Sequence, residues 1–513
     1  MTPRILDLTP VPPKNPWSWS QRLLQWAYEQ RWFFAIFLAA LAVRLEWNLV
    51  EHPPGDYIYS DMNGYVQRAD KLLAHPTEPS EYAAFFPFGT HVMIAACKFV
   101  FGKENFGAVA ILYALIGALA VAFAYAAARR ASRFSFVAPA VGLFGIFYYP
   151  HLSLGGYFLS EVPFCTCLMG ALVAALRLAD HGRKRDALLM GFFAGLGAIF
   201  RPQMLVSVAV VGLFWIARRK ALPNIRFKLL LLSAIPLACF LALSVAHMKF
   251  NTGRWGTVSE NGSFNLVFGR CHNSKIESQP DGHGHGRVHF RPPEFLQTKN
   301  HEDAARKART QPEIALNPAI GDELKYKGYI GDNKIHMDYV RKCIEKTGWG
   351  GQLDYAWTNV KLLWLHNIPW PDSGRAPWRP PAKWWTEQHK IWLAIPALLG
   401  LLWIFLPGRR AARLGLVGIH LLAELAVAAV YFGGTRHRTP YDFIIIILAF
   451  ETYATAAWLL LRGAWWTYKK RLAQMNAQVG GGGASGGGDE GAGGGVDDKG
   501  TRGGKSAQNN SSS

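Results

Sequence analysis

Long apolar blocks constrain this chain more than any other feature of its sequence. Each runs for roughly 15–24 residues with almost no charge, enough to cross a bilayer core of roughly 30 Å. The apolar residues follow neither a strand period nor the period of a surface helix, so the blocks are interpreted as membrane-spanning helices. Spans are predicted at about 31–50, 105–128, 134–155, 162–179, 186–200, 203–217, 228–247, 389–406, 413–432 and 440–461. The predicted fold class is an all-α polytopic membrane protein with about ten transmembrane helices.

Basic residues collect in the connections between these blocks. The net charge of +20 would suggest a nucleic-acid partner in a soluble protein, but Lys and Arg between membrane spans instead set the orientation of the chain. With the N-terminus inside, five basic clusters fall on the cytoplasmic side: 129–133, 181–185, 218–220, 409–413 and 469–471. We therefore expect a multi-pass protein of the inner or plasma membrane, in contact with membrane lipids and not with nucleic acid.

This topology predicts five segments. They are a cytoplasmic or interfacial segment (1–30), a membrane module (31–247) with a first outer loop (51–104), a large outer loop of mixed structure (248–388), the C-terminal membrane helices (389–465) and a cytoplasmic Gly/Ser-rich tail (466–513). The tail lacks apolar residues to bury and is expected to be disordered. Residues 86–101 are predicted to form a helix in the outer interface, because counting them as a span would place every later basic cluster outside.

Asp61 is the first candidate for chemistry, because it opens a helical pattern in the first outer loop. The apolar residues of this pattern share one face: Met62, Tyr65, Val66, Ala69, Leu72 and Leu73. Ser60 suits the N-cap, so Asp61 lies in the first turn, where the helix dipole favours the ionised carboxylate. Such a carboxylate can accept a proton from an attacking hydroxyl. The alternative is that Asp61 only stabilises its helix.

Several charged residues lie at the outer ends of predicted spans. Glu161 needs a partner or a watery cavity, because a carboxylate at that depth is costly. Arg201 interrupts an overlong apolar stretch, although it could simply extend towards lipid headgroups. Arg436, His437 and Arg438 are potential cations on the outer side, against the positive-inside trend. Because arginine matches phosphate geometry, these groups together predict an anion site at the outer surface.

Other polar motifs are interpreted as structural. His420 and Glu424 are four residues apart and share one helix face. The Gly/His run at 281–289 could hold a metal, but such loops usually stay flexible, so neither a metal nor a cofactor is predicted. Cys271 and Cys343 share the large outer loop, where an oxidising compartment would allow a disulfide; whether they form one is left open.

The order of the motifs is more telling than any one of them. It runs from Asp61, Tyr65 and Ala69 through an aromatic-Pro-x-Gly opening at 86–89, Ser160 and Glu161, and G-x-x-A-G-L-x-A-x-x-R-P at 191–202, to R-x-R-x-P at 436–440. This series, over about residues 31–460, resembles the GT-C glycosyltransferases of the family 39 type, the protein mannosyltransferase and aminoarabinose transferase relatives. In one place it departs from them: relatives of the aminoarabinose branch have a Lys before the Pro of the first loop, where this chain has Phe85 and Phe86.

The resemblance implies a reaction. Such enzymes take a sugar from a polyprenyl-phosphate carrier on the outer leaflet and transfer it with inversion to an acceptor, which here could be a lipid, a glycan or a protein. By resemblance, Asp61 would be the catalytic base and Glu161 a second active-site acid, while Arg201 and Arg438 would meet the lipid phosphate. Two alternatives remain open, a polysaccharide ligase or polymerase with a diphosphate-linked donor and a membrane transporter.

Overall fold

Helices make up most of the structure, a computed structural model that describes residue 25 and residues 28–270, 275–277, 287–289, 333–365, 371–431 and 433–481. The N-terminal helices are α1 (Arg31–Glu46, continued by a π-helical turn, Trp47–Glu51), α2 (Asp61–Ala74), α3 (Glu81–Phe85), α4 (Gly89–Phe101), α5 (Phe106–Ala131), α6 (Val137–Phe147), α7 (Tyr149–Gly155), α8 (Glu161–His181), α9 (Lys184–Phe200), α10 (Gln203–Arg218), α11 (Phe227–Thr252) and α12 (Gly262–Arg270). Two short antiparallel strands follow, β1 (Lys275–Glu277) and β2 (Arg287–His289). The C-terminal helices are α13 (Asn333–Leu365), α14 (Arg379–Gln388), α15 (Ile395–Gly400), α16 (Arg409–Val430), α17 (Thr435–Arg438) and α18 (Asp442–Gly481).

Six of the described helices are long and apolar enough to cross a membrane, or seven if the bent pair α6 and α7 is one span. The all-α, multi-pass fold class is therefore confirmed, while the count of about ten spans stays a prediction. The predicted span 134–155 is bent by 49° between α6 and α7. Pro150 explains this bend, because a proline in a helix lacks the N–H that would bond one turn back and its ring clashes there.

Residues of the first loop, 51–104, form a hydrophobic cluster with helices that follow them. Met62, Tyr65, Val66 and Ala69 of α2 are buried in it, and Leu72 and Leu73 pack against it, so the predicted apolar face is confirmed. Its other members come from α4, α5, α7, α8 and the residues between α7 and α8: Ile94, Ala95, Cys97, Val109, Tyr113, Leu154, Tyr157, Phe158, Leu159 and Val162. Residues 86–101 do contain a helix, α4; its place in the outer interface stays a prediction.

Helix α13 of the large loop consists of two helical pieces. They meet at Gly348, whose backbone φ of 65° lies in the left-handed region that glycine adopts readily. Cys343 on α13 is disulfide-bonded, whereas Cys97, Cys165, Cys167 and Cys239 are free. Cys271 lies outside the described residues.

The chain divides into two units, Met1–Thr455 and Ala456–Ser513. In the second unit, the ring of Trp465 stacks on that of Tyr468 and the Lys469 ammonium lies 5.3 Å from the centre of the Trp465 ring. Helix α18 continues to Gly481, beyond residue 465, after which the tail was predicted to begin. Its residues past that point are mostly good helix formers such as Lys, Arg, Leu, Ala and Gln. The rest of the tail lies outside the described residues.

Candidate active site

Asp61 is the first residue of α2 and is placed by the burial of that helix's apolar face. Ser60 occupies the N-cap position, as expected, but its side chain makes no capping hydrogen bond. Its backbone φ of 50° is the one positive value among the described non-glycine residues. A serine in this region is strained, and such strain persists only where surrounding contacts hold it.

Glu161 and Arg201 meet at neighbouring ends of their helices. Glu161 is the first residue of α8, and Arg201 lies in the break between α9 and α10. Arg201 Nη1 is 2.8 Å from Glu161 Oε1, with the Glu161 side chain fully buried. Arg201 is therefore the charged partner that the buried Glu161 carboxylate needs.

Arg436 lies on the short helix α17 and contacts both acids. Its Nη1 donates to Asp61 Oδ2 at 2.9 Å, and its Nε donates to Glu161 Oε1. The turn before α17 is pressed against α13, because a Cβ added at Gly433 would lie 1.6 Å from the backbone oxygen of Asn359. Only glycine allows this approach.

His437 completes the group, with its Nδ1 2.7 Å from Arg201 Nη2. We call Asp61, Glu161, Arg201, Arg436 and His437 the ion cluster. It holds two carboxylates and two guanidiniums, so its charges balance when the histidine is neutral. The exposed fraction of the side chains rises from 0% at Glu161 and 10% at Arg201 to 17% at Arg436 and 34% at Asp61. Asp61 is therefore the end of the cluster that a reactant can reach.

Arg438 lies elsewhere. Its Nε donates to Asp442 Oδ1 at 2.9 Å and its Nη1 to the backbone oxygen of Leu363 at 3.1 Å. Asp442 also accepts from the hydroxyl of Tyr148 at 2.7 Å. The Arg438 side chain is almost completely buried, so these contacts anchor α17 to α13 and α18.

Tyr65 is buried one turn after Asp61 on α2. Burial raises the pKa of its hydroxyl to about 12, and the nearby negative charges of Asp61 and Glu161 also raise it. Tyr65 therefore stays protonated at neutral pH, and its hydroxyl can donate or accept a hydrogen bond. The sequence motif included this residue, but the motif alone did not show that it lies near both acids.

Arg68 is a cation that the sequence reasoning missed. Its guanidinium lies 3.6 Å from the centre of the Tyr82 ring and 4.6 Å from that of Phe86, and its Nε donates to the backbone oxygen of Tyr82. Relatives of the aminoarabinose branch have a lysine near the position of Phe86, and in this chain the guanidinium of Arg68 packs on the Phe86 ring. The sequence feature that could have identified Arg68 is its seven-residue spacing from Asp61, which places both residues on one side of α2.

The other candidates stay outside the ion cluster. His420 and Glu424 on α16 are both buried. No group of three or more His, Cys, Asp or Glu suited to a metal occurs among the described residues. Of the Gly/His run, only residues 287–289 are described, as β2.

Residues 86–245, less than half of the chain, match the family model described as dolichyl-phosphate-mannose-protein mannosyltransferase. The predicted resemblance is confirmed. The match indicates a glycosyltransferase, and it includes Glu161 and Arg201 but neither Asp61 nor α17. No curated protein sequence matches the chain.

Similar solved structures include the archaeal oligosaccharyltransferase AglB from Archaeoglobus fulgidus, in complex with an inhibitory peptide and a dolichol-phosphate. Its sequence identity is 10% and its TM-score 0.46, over 87% of this chain and 52% of that one, so this chain spans about half the length of AglB. ArnT from Cupriavidus metallidurans bound to undecaprenyl phosphate has 13% identity and a TM-score of 0.36, over 86% of this chain and 79% of that one.

Proposed function

We propose that this protein transfers a sugar from a polyprenyl-phosphate-linked donor to an acceptor on the extracytoplasmic side of the membrane, with inversion at the anomeric carbon. The ion cluster carries the proposal. It brings a reachable carboxylate and two arginines together from segments distant in the sequence, at the ends of apolar helices. A lipid-linked phosphate donor needs this combination of base, cations and membrane.

Asp61 is the base of the proposed reaction. The acceptor hydroxyl or amide gives its proton to Asp61 while its oxygen or nitrogen forms a bond to the anomeric carbon. The bond from that carbon to the phosphate oxygen breaks, and its electron pair stays on the phosphate. Polyprenyl phosphate leaves with one more negative charge, which positioned cations stabilise most in the transition state.

Arg201, Arg436 and His437 are the proposed phosphate contacts. In the structure, Arg436 already bonds to Asp61, so an incoming phosphate competes with that carboxylate for one guanidinium. Donor binding thereby releases Asp61 towards the acceptor, which couples the arrival of the leaving group to the availability of the base. Glu161 holds both arginines, and we propose that it orients them and does not itself receive the proton.

Two observations support an extracytoplasmic site. The basic clusters 181–185 and 218–220 lie at the C-terminal ends of α8 and α10, whose other ends contribute to the ion cluster, and the positive-inside trend makes the basic ends cytoplasmic. Cys343 is disulfide-bonded, and such bonds persist in oxidising compartments. The family match favours a donor of the dolichyl-phosphate kind.

The full-length protein in liposomes tests the proposal. It is supplied with radiolabelled sugars on polyprenyl phosphate and, in a matched reaction, with the same sugars on polyprenyl diphosphate. We expect time-dependent loss of the monophosphate-linked sugar, with release of polyprenyl phosphate, and an Asp61→Asn variant that is inactive in the same vesicles.

Use of the diphosphate donor alone would favour a ligase or polymerase. Movement of unlinked sugar across the vesicle wall without bond cleavage would favour a transporter. Either result would overturn the proposal.

A further inference from the structure

A short segment of the large loop, residues 371–378, contacts both parts of the chain that carry the acids of the ion cluster, the one before α2 and the one before α8. The second residue of this segment is Asp372, a carboxylate that is only 2% exposed. No arginine or lysine pairs with it at ion-pair distance among the described residues. An ionised group buried in this way needs other partners, since its desolvation is costly.

Three hydroxyl groups supply those partners. Ser153 Oγ donates to Asp372 at 2.7–2.8 Å, Tyr157 Oη at 2.9 Å and Tyr149 Oη at 3.1 Å. All three come from α7 and the residues just after it. Tyr157 is fully buried and precedes Glu161 by four residues. Asp372 therefore holds the segment that leads into α8 and its first residue, Glu161.

The neighbouring residue holds the other acid. The backbone oxygen of Pro371 accepts a hydrogen bond from Tyr59 Oη at 3.1 Å, and the Arg375 guanidinium lies 4.2 Å from the centre of the Tyr59 ring. Tyr59 in turn accepts the backbone N–H of Met62 at 3.1 Å, in the helical turn that starts at Asp61. The strained backbone of Ser60 lies between Tyr59 and Asp61, so its conformation depends on how both sides are held.

We propose that Asp372 is a positioning residue, which sets the placement of Asp61 relative to Glu161 by tying Tyr59 and Tyr157 to one rigid point. The proposal rests on the proposed function in one respect, that Asp61 and Glu161 belong to the reaction. Arg436 can bond to both acids at once only if their separation matches its guanidinium, so loosening either tie misaligns base and cation together.

The Asp372→Asn variant of the full-length protein tests this. Asparagine keeps the size of the side chain but replaces one acceptor oxygen with an NH₂ group that cannot accept from the hydroxyls. We expect kcat to fall about tenfold or more, because a shift of about 1 Å in a reacting group can cost about 10²-fold. The KM for the donor should rise by a smaller factor than kcat falls, since Arg201 and His437 remain as phosphate contacts even where Arg436 shifts. Asp338→Asn, an exposed acid paired with Arg341, is the control and should match wild type.

A second measurement does not depend on activity. Hydrogen exchange at the amides of Met62, Asn63 and Gly64, which bond to the backbone oxygens of Tyr59 and Ser60, should be faster in Asp372→Asn and in Tyr59→Phe than in wild type. If Asp372→Asn fails to fold, Tyr59→Phe and Tyr157→Phe each remove one tie and carry the test.

The possible results separate the two proposals. Unchanged exchange at these amides in folded variants overturns the positioning role, and so does an unchanged kcat in an active enzyme. Faster exchange in a protein whose wild type transfers no sugar supports the link from Asp372 to Asp61 and overturns the proposed function instead.

Discussion

Arg436 is the residue on which the two acids of the ion cluster converge. Its guanidinium presents two edges, one to Asp61 and one to Glu161, and the compact ammonium of a lysine cannot reproduce that fork. Arg436→Lys should lower kcat/KM for the donor about ten- to a hundredfold, the equivalent of losing one charge-assisted hydrogen bond of about 1.5–3 kcal/mol. Arg185→Lys, at an exposed site, is the control. Equal donor kinetics in the two variants would remove Arg436 from the phosphate site.

Substitution of Asp61 distinguishes a catalytic role for this residue from a purely structural one. Loss of a general base costs about 10²–10⁴-fold in rate, whereas a carboxylate that only favours its helix terminus contributes about 0.3–1 kcal/mol of stability. Asp61→Asn should therefore abolish most transfer in protein with a nearly normal melting temperature. The control is Asp56→Asn, the same substitution at an exposed acid of the same loop, and this variant should remain active. A reversal of the two outcomes would make Asp56 the base.

Asp372 also gives the protein a predicted pH dependence. Burial raises the pKa of its carboxyl to about 6, although the three hydroxyl partners lower it. A raised pKa means that the folded state binds the proton more tightly than the unfolded state, so this group stabilises the fold at low pH and loses that contribution as pH rises through about 6. The melting temperature of wild type should fall between pH 5 and 7.5 relative to that of Asp372→Asn, measured in detergent. Parallel curves would show that Asp372 does not titrate there.

Glu161 and Arg436 could be singled out from the sequence because each one breaks a local rule. Glu161 is a carboxylate at the end of an apolar helix, and Arg436 opposes the positive-inside trend. Arg438 breaks the same trend but lies two residues further along, and side chains two apart on a helix point in different directions. Asp372 could not be predicted, because it lies in an irregular Pro-rich segment without any period to place it.

The helices were predictable from their apolar length, but not where they break. Residues 389–406 were expected to form one span, and 389–404 are helical, but the helix changes type along its length: a π-helical turn, α15 and a 3-10 turn begin at His389, Ile395 and Leu401. The shape of such a segment depends on what it packs against, and a hydropathy pattern contains no information about that. By contrast, the apolar face of α2 was correctly predicted, because it repeats with the helical period.

Helix α9 approaches α11 so closely that a glycine is required. A Cβ added at Gly191 would lie 1.8 Å from the backbone oxygen of Ser233, whereas one added at Gly212 on α10 would meet nothing within 4 Å. Gly191→Ala should therefore destabilise the protein by about 1–3 kcal/mol, as overpacking does. Gly212→Ala should be neutral or stabilising by up to about 1 kcal/mol, because alanine favours helices. Thermal unfolding in detergent measures both, and a similar loss in the two variants would contradict the close approach.

The arrangement of the whole molecule depends on one orientation. The ion cluster joins the N-terminal ends of α2 and α8, the turn between α9 and α10, and α17, so these four places must lie on one side of the membrane. The basic clusters lie at the other ends of α5, α8 and α10. A single inversion would move every one of these features together, which makes the topology a property of the whole chain.

Single cysteines test that orientation directly. They are introduced at Lys103, Arg183 and Arg341, all exposed, into a protein in which the free thiols have been replaced: Cys97, Cys165, Cys167 and Cys239. In intact cells an impermeant thiol reagent should label positions 103 and 341 and spare position 183, which should react only after the membrane is opened. Since Arg183 follows α8 and Glu161 begins it, one crossing must separate them. Labelling of position 183 with protection of the other two would place the ion cluster on the cytoplasmic side, where no outer-leaflet donor could reach Asp61.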